Sequence, residues 1–268
     1  MTKAIRGNSF YTIVDGPSWT QAEARSVSMG GNLATINTDK ENQFLYAEFI
    51  RGRSNANIWI GFSDARKEGV WLWSSGDNST YANWATQTNP AQPDNLEGKQ
   101  HYAYFWDDFP GFWDDAPEIG AEITSGIAEI PLNLSINRTT TPKEGGGNFT
   151  TSINLSAGTQ SNITDGVTVY WRVSGITSDD LASGSLTGSG TISGGKLDIT
   201  HSLVKDADSG EQFAVSVYSD SAMTQQIGIT NSVGIEEAPA PAPTPAPIPT
   251  PAPIPSPTPA PVPTPTPA

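Results

Sequence analysis

The chain contains no cysteine, which excludes disulfides, zinc-thiolate sites, iron-sulfur ligation and cysteine nucleophiles together. Histidine is almost as scarce. His101 and His201 are the only two, and neither stands near a serine motif that forms a triad or a nucleophile elbow. Basic residues are few, with 14 Lys and Arg against 28 Asp and Glu and a net charge of -14. A chain that repels phosphate is a poor nucleic-acid binder, so the expected partners are neutral, cationic or metal-bridged. No run approaches about 18 consecutive apolar residues, and no membrane-spanning helix is expected. The opening MTKAIRGNSFYTIV lacks the apolar stretch of roughly 7 to 15 residues that a secretory signal carries.

What is present is unevenly distributed. Hydrophobic residues make up 36% of the 268, a low share, and 15 of the 22 prolines fall after residue 238, so a proline-rich tail dilutes an aromatic-rich body. Seven of the eight tryptophans lie before residue 114, whereas 133 to 235 is rich in Ser, Thr and Gly, and this shift places a boundary near Pro131. In the first part, Phe10 to Val14 reads as a strand. Ser18 to Met29 reads as a helix stopped by Gly30-Gly31, and Asp39 to Ile50 as a second helix behind an Asn37/Thr38 cap signal. Short strand-like runs follow at Ile58 to Ile60, Val70 to Trp73, Tyr102 to Trp106 and Gly126 to Ile130, with a loop from Ser74 to Gln100 too long to be a mere connection. Two helices followed by several short strands predict an α+β domain over 1–132.

The second part alternates polar and apolar residues in Thr168 to Val173 and Gln212 to Tyr218, with glycine-rich turns between, and predicts an all-β sandwich over 133–236. In the tail, 237–268, every odd residue from Pro239 to Pro267 is proline. Polyproline II is the expected conformation, a stiff spacer of about 90 Å. The strict parity leaves no PxxP ligand for an SH3-type groove.

A set of motifs in order carries a family resemblance: GGNLATI (Gly30 to Ile36), WIGF (Trp59 to Phe62), Trp71-Leu72-Trp73 with Gly76, Tyr81 and Trp84, Gln92-Pro93-Asp94, Trp113-Asp114-Asp115 and the closing GIAEIP (Gly126 to Pro131). Residues 8 to 131 resemble a C-type lectin-like domain. The resemblance implies pairing of the strands near Phe10 to Val14 and Gly126 to Ile130, and a ligand site on the loop from Ser74 to Gln100. The family's disulfides are missing: Tyr102 stands where a half-cystine is expected, and Ile127 to Glu129 lack the second one. Buried tryptophan area is the expected compensation, with Trp59, Trp71, Trp73 and Trp84 read as core.

The resemblance also implies a calcium ion. Calcium takes about six to eight hard oxygens, and a cis Gln92-Pro93 bond, accessible to X-Pro at modest cost, puts Gln92 and Asp94 on one side of the backbone. Asp114 and Asp115 complete the implied set, with sugar hydroxyls in the remaining positions. The family's acidic ligand before the next strand aligns with Gln100, and Glu97 is the candidate substitute. The Gln-Pro-Asp order is similar to that of members preferring galactose-type sugars. Trp113, or Trp106, is the candidate stacking face, because Asn95-Leu96 occupy the place where such members carry tryptophan. An auxiliary calcium site is implied at Asp64, Glu68 and Asn95, with His101 in place of a further carboxylate. Asp107 and Asp108 are expected in a solvated loop.

In the second part, Glu144-Gly145-Gly146, Tyr170 to Val173 and Glu211 to Val215 look like a Calx-β or similar immunoglobulin-like module, with a spacer role and with Asp206, Asp208 and Glu211 as possible calcium ligands. Six Asn triplets of glycosylation type, beginning at Asn78, Asn133, Asn137, Asn148, Asn154 and Asn162, are what a Ser/Thr-rich sequence produces by chance. No enzyme is expected, since Asp114 and Asp115 are adjacent and point to opposite faces of a strand, unlike a glycosidase pair. The leading reading is a calcium-dependent carbohydrate-binding module of an extracellular adhesin, at a cell or virion surface. The alternative is a calcium-independent module that binds protein or serves as structure.

Overall fold

The computed structural model describes residues 2–53, 56–120, 122–160, 162–206 and 209–238. The proline-rich segment from 239 on, with its expected polyproline II spacer, lies outside the described residues.

Fourteen strands and two α-helices are described. The first part contains β1 (Lys3–Arg6), β2 (Ser9–Asp15), α1 (Trp19–Ser28), β3 (Asn32–Leu33), α2 (Asp39–Leu45), β4 (Ile58–Ser63), β5 (Leu72–Trp73), β6 (Tyr102–Phe105) and β7 (Trp113–Ala116). Then come β8 (Ser125–Arg138), β9 (Asn148–Ala157), β10 (Thr168–Ser174), β11 (Thr187–Thr191), β12 (Lys196–Ser202), β13 (Gln212–Tyr218) and β14 (Gln226–Gly234). Ser18 caps α1 through its hydroxyl, which accepts from the Gln21 amide at 3.3 Å. At its far end Gly30, at φ 91, lets the Gly31 amide turn back to the Ser26 carbonyl at 3.0 Å. The second predicted helix is present but changes pitch: α2 passes into a π-helical turn, Tyr46–Ile50, that buries Phe49 and Ile50.

The first part forms a sheet in the order β1-β2-β8-β4-β6-β7, with β3 on β8 and β5 on β4. β2 and β8 pair antiparallel from Ser9–Pro131 to Asp15–Ser125, the pairing the family resemblance implies. The strand expected at Val70 to Trp73 is shorter. The Val70 amide closes a turn on the Lys67 carbonyl at 2.9 Å, and Trp71 leaves the ladder to pack on Trp84 with ring centres 4.6 Å apart. Trp59 and Trp113 are fully buried and Trp73 nearly so, while Trp71 and Trp84 pack partly buried against the same core. Trp113 sits at the centre, within about 6 Å of Phe62, Trp73, Tyr81, Trp84 and Phe105, ring to ring.

β8 passes through the expected boundary near Pro131 without a break. Its first half pairs with β2 and its second half, Leu132 to Arg138, pairs with β9, which in turn pairs with β12. A separate sheet, β11-β10-β13-β14, faces this extension. Ile153, Leu155, Val169, Val217 and Ile227 from the two sheets share one core. Further ties cross between the two parts: the Thr159 amide donates to the Met29 carbonyl at 3.1 Å, and the Gly228 amide to Asn8 Oδ1 at 2.7 Å. The two parts are therefore one body over the described residues to Ala238.

Gly158 carries this junction. Its φ is +55, and a Cβ there would lie 1.8 Å from the Met29 carbonyl oxygen. Left-handed backbone and a clash with backbone both penalise a side chain. Gly158→Ala is expected to lower stability by about 2–4 kcal/mol in urea unfolding, with the loss seen simultaneously by tryptophan fluorescence and by far-UV circular dichroism. Separate transitions for the two probes would show that the two parts unfold independently.

Candidate functional site

Asp115 organises the site. It follows the core residue Trp113 by two positions on β7, a short buried strand, and its side chain is fully buried. Its Oδ1 accepts from the Asp94 amide at 3.1 Å and its Oδ2 from the Asn95 amide at 3.0 Å. Its backbone carbonyl accepts from Gln100 Nε2 at 2.9 Å. One carboxylate thus ties down the tip of the long loop. The loop needs that tie, because Asn95 (φ 44) and Glu97 (φ 59) are held in the left-handed region, uncommon for residues other than glycine.

Around Asp115 the loop closes on itself. The Leu96 amide donates to Gln100 Oε1 at 2.6 Å, and the Gln100 amide donates to Asn95 Oδ1 at 3.0 Å. Asp94 Oδ1 accepts from the Leu96 amide at 3.2 Å. The Gln92–Pro93 bond is cis, as is Asn89–Pro90. Gln92 is nine-tenths buried, and its Oε1 has no hydrogen-bond partner. A buried amide oxygen left unpaired costs about 1–3 kcal/mol.

Asp114 points the other way, as adjacent strand residues must. Its Oδ2 accepts from the Tyr104 hydroxyl at 2.8 Å, across the β6–β7 ladder, and its Oδ1 from the Asp115 amide at 2.8 Å. Asp94, Asp114 and Asp115 nevertheless feel one another. Burial raises the Asp115 carboxyl to about 6; the two loop amides oppose this, and the charges of Asp114 and Asp94 add to it. Asp114 is raised too, chiefly by burial and then by Asp94, against the hydrogen bonds it accepts.

The expected site residues fall into groups. Asp94, Asn95, Gln100 and Asp115 are drawn together by the bonds above, whereas Gln92 joins them only through the chain and Asp114 only through the Asp115 amide. Glu97 is not among them: it is exposed and pairs with Lys99 Nζ at 2.8 Å. Trp113 is no stacking face. Its ring is fully buried and its Nε1 donates to Asn42 Oδ1 at 2.8 Å, so it belongs to the core. Trp106 is half-buried and packs on Phe109. Asp107 is not merely solvated, since its Oδ2 accepts from the Ala56 amide at 3.0 Å, whereas Asp108 is exposed.

Asp64 and Glu68 meet at the auxiliary position, and the third member there is His101, not Asn95, whose side chain serves Gln100. In the second part Asp206 and Glu211 lie together with Glu144, which the sequence reading passed over as a ligand; Asp208 lies outside the described residues. The signal for Glu144 was available only in space, since it is 62 residues or more from the others and is brought in by the Glu144–Leu203 bridge.

The raised Asp115 sets a pH signature. In the unfolded chain an aspartate titrates near 4, so between about 4 and 6 the folded state binds the extra proton. The contribution of Asp115 to stability is fully present below about pH 4 and is lost as pH rises to about 6. Urea unfolding of the wild type and Asp115→Asn across pH 3.5 to 7.5, values chosen to bracket about 4 to 6, is expected to show the difference between them falling in that window and flat above it. A flat difference throughout would mean that the two loop amides fully offset burial.

Residues 15–115 match the family model described as the lectin C-type domain. Among curated proteins the chain is 39% identical over 87 residues to the galactose-specific lectin nattectin of Thalassophryne nattereri, covering 32% of this chain and 52% of that protein. It is 38% identical over 87 residues to tetranectin of Bos taurus, covering 32% and 42%. The chain spans about half the length of the curated relatives it matches. Among solved structures it is similar to the C-type lectin CEL-I from Cucumaria echinata, with 22% identity, a TM-score of 0.41 and coverage of 48% of this chain and 94% of that one. The family model and nattectin are named as lectins, in line with the expectation of no enzyme. Over residues 15–115 this chain is similar to C-type lectin domains.

Proposed function

We propose that this domain is a calcium-dependent carbohydrate-binding module whose site is built from Gln92, Asp94, Gln100, Asp114 and Asp115. The observation that carries the reading is the unpaired, buried Oε1 of Gln92, two residues before Asp94, on a loop tied to the Asp114–Asp115 pair, whose carboxyls burial raises and the Asp94 charge raises further. Such a cluster is short of positive charge and of a partner for one oxygen, and a hard cation supplies both. The donor set fits: every candidate ligand atom is an oxygen. When bound, calcium contributes the charge that holds vicinal sugar hydroxyls against the loop.

The chain's own residues do the rest. Gln92 offers an amide that can donate to one hydroxyl, and Asp94 a carboxylate that can accept from the other. That asymmetry supports a galactose-type sugar, as does the likeness to a galactose-specific lectin. Asp115 keeps the loop tip in place for both. Extracellular calcium is millimolar and suits a site with few charges, which supports an extracellular, adhesive role at a cell or virion surface.

A second reading has its own observation. All three oxygens of Asp115 and the Oε1 of Gln100 already accept hydrogen bonds, so the loop holds its shape by protein contacts alone. A calcium-independent module that binds protein, or serves as structure, would need no more than this.

Calorimetry and a glycan array separate the two. The first reading expects calcium binding at millimolar concentration or tighter, lost in Asp94→Ala, and glycan signals that vanish on chelation. It also expects the double exchange Gln92→Glu with Asp94→Asn to move preference from galactose-type toward mannose-type sugars. Binding that persists in EDTA, or a folded protein indifferent to calcium, would favour the second reading.

A further inference from the structure

The auxiliary position is not built for calcium. Asp64 closes β4, and its carboxylate is almost fully buried. The Gly69 amide donates to its Oδ2 at 2.7 Å, which leaves Oδ1 turned toward His101. His101 Nδ1 lies 3.0 Å from Asp64 Oδ1 and 3.4 Å from Glu68 Oε2. The backbone fixes the arrangement: the Asp64 amide donates to the His101 carbonyl at 3.2 Å, and the Lys67 amide closes a turn on the Asp64 carbonyl at 2.8 Å, presenting Glu68. One nitrogen and two carboxylate oxygens, from the 64–68 turn and from His101, all lie within 4.8 Å of one another.

We propose that Asp64, Glu68 and His101 form a site for a divalent transition metal of the zinc type, and that calcium is excluded from it. Two arguments carry this. The first is donor type: calcium is served by oxygens, whereas an imidazole nitrogen beside carboxylates suits zinc, cobalt or nickel. The second is spacing. Zinc bonds of about 2.0–2.2 Å at tetrahedral angles set ligand atoms about 3.3–3.6 Å apart; the 3.4 Å from Nδ1 to Glu68 lies in that range and the 3.0 Å to Asp64 falls a few tenths of an ångström short of it. Three protein ligands leave the fourth position to water, as in open zinc sites. Nδ1 faces the two carboxylates, so an ion bound there takes Nδ1 while the neutral ring keeps its one proton on Nε2.

The site differs from the calcium reading of the loop in both residues and metal, and either can fail alone. The test uses the full chain titrated with zinc against a chelating indicator, and with cobalt followed by its visible absorption. The expected result is a tight zinc equivalent that excess millimolar calcium does not displace, with intense visible bands for cobalt in low coordination. His101→Asn is expected to weaken that equivalent at least about tenfold while leaving the unfolding midpoint close to wild type. His101→Asp, which restores an all-oxygen set, is expected to lose zinc preference and gain calcium. Asp94→Ala is expected to keep the zinc equivalent. Zinc affinity unchanged in His101→Asn, or full displacement by calcium in the wild type, would overturn the assignment.

Discussion

The first part depends on a buried strand whose consecutive side chains do opposed work. On β7, Trp113 is locked into the aromatic core by rings on several sides and by its bond to Asn42, and this fixes Asp114 and Asp115 with little freedom. A buried carboxylate is costly unless its oxygens are hydrogen-bonded. Asp115 meets that condition only by drawing the Asp94 and Asn95 amides down onto itself. The core therefore shapes the ligand loop through one carboxylate. Changing Trp113 alters the site without touching any ligand, and changing Asp115 releases the loop without touching the core.

Much of this architecture was legible in the sequence. Capping residues and apolar spacing located both helices, and the motifs located the long loop. The single body was hidden. Pro131 and the change from tryptophan-rich to Ser/Thr-rich composition suggested a hinge, yet Leu132, Leu134 and Ile136 continue the alternation of Ile127 to Ile130, and β8 runs on into the sandwich. Proline is tolerated there because the ladder to β2 ends beside it, with Leu132 donating next to the Asn8 carbonyl. Trp113 was misjudged for a related reason. Its neighbours in sequence are acidic and suggest an exposed site, whereas its neighbours in space are rings from distant segments.

The missing cross-links pose the same problem from another side. A disulfide acts largely on the unfolded chain, whereas packed aromatic area acts on the folded one. The cluster around Trp113, the long shared strand and the glycine contact at the junction supply folded-state cohesion in its place. His201 belongs to this scheme and not to any chemistry. It is buried among Phe149, Trp171 and Phe213, and burial pushes its imidazole down to about 4, so it stays neutral through the physiological range. The second histidine therefore offers no accessible nitrogen to a metal, which leaves His101 as the imidazole able to do so.

Two substitutions then act in different directions on neighbouring positions of the chain. Gln100 keeps an oxygen but removes a charge, so the principal site retains the donor type calcium wants while its electrostatic pull is reduced. That favours affinity in the range of extracellular calcium and not below it. His101, the next residue, keeps the position but changes the donor atom, and that changes which metals are suited to it. Because Gln100 Nε2 also holds the Asp115 carbonyl, while the His101 carbonyl holds the Asp64 amide, the same dipeptide anchors both clusters through its backbone and side chains. Residues 100 and 101 are therefore structural supports of both clusters, even though the two clusters share no candidate ligand.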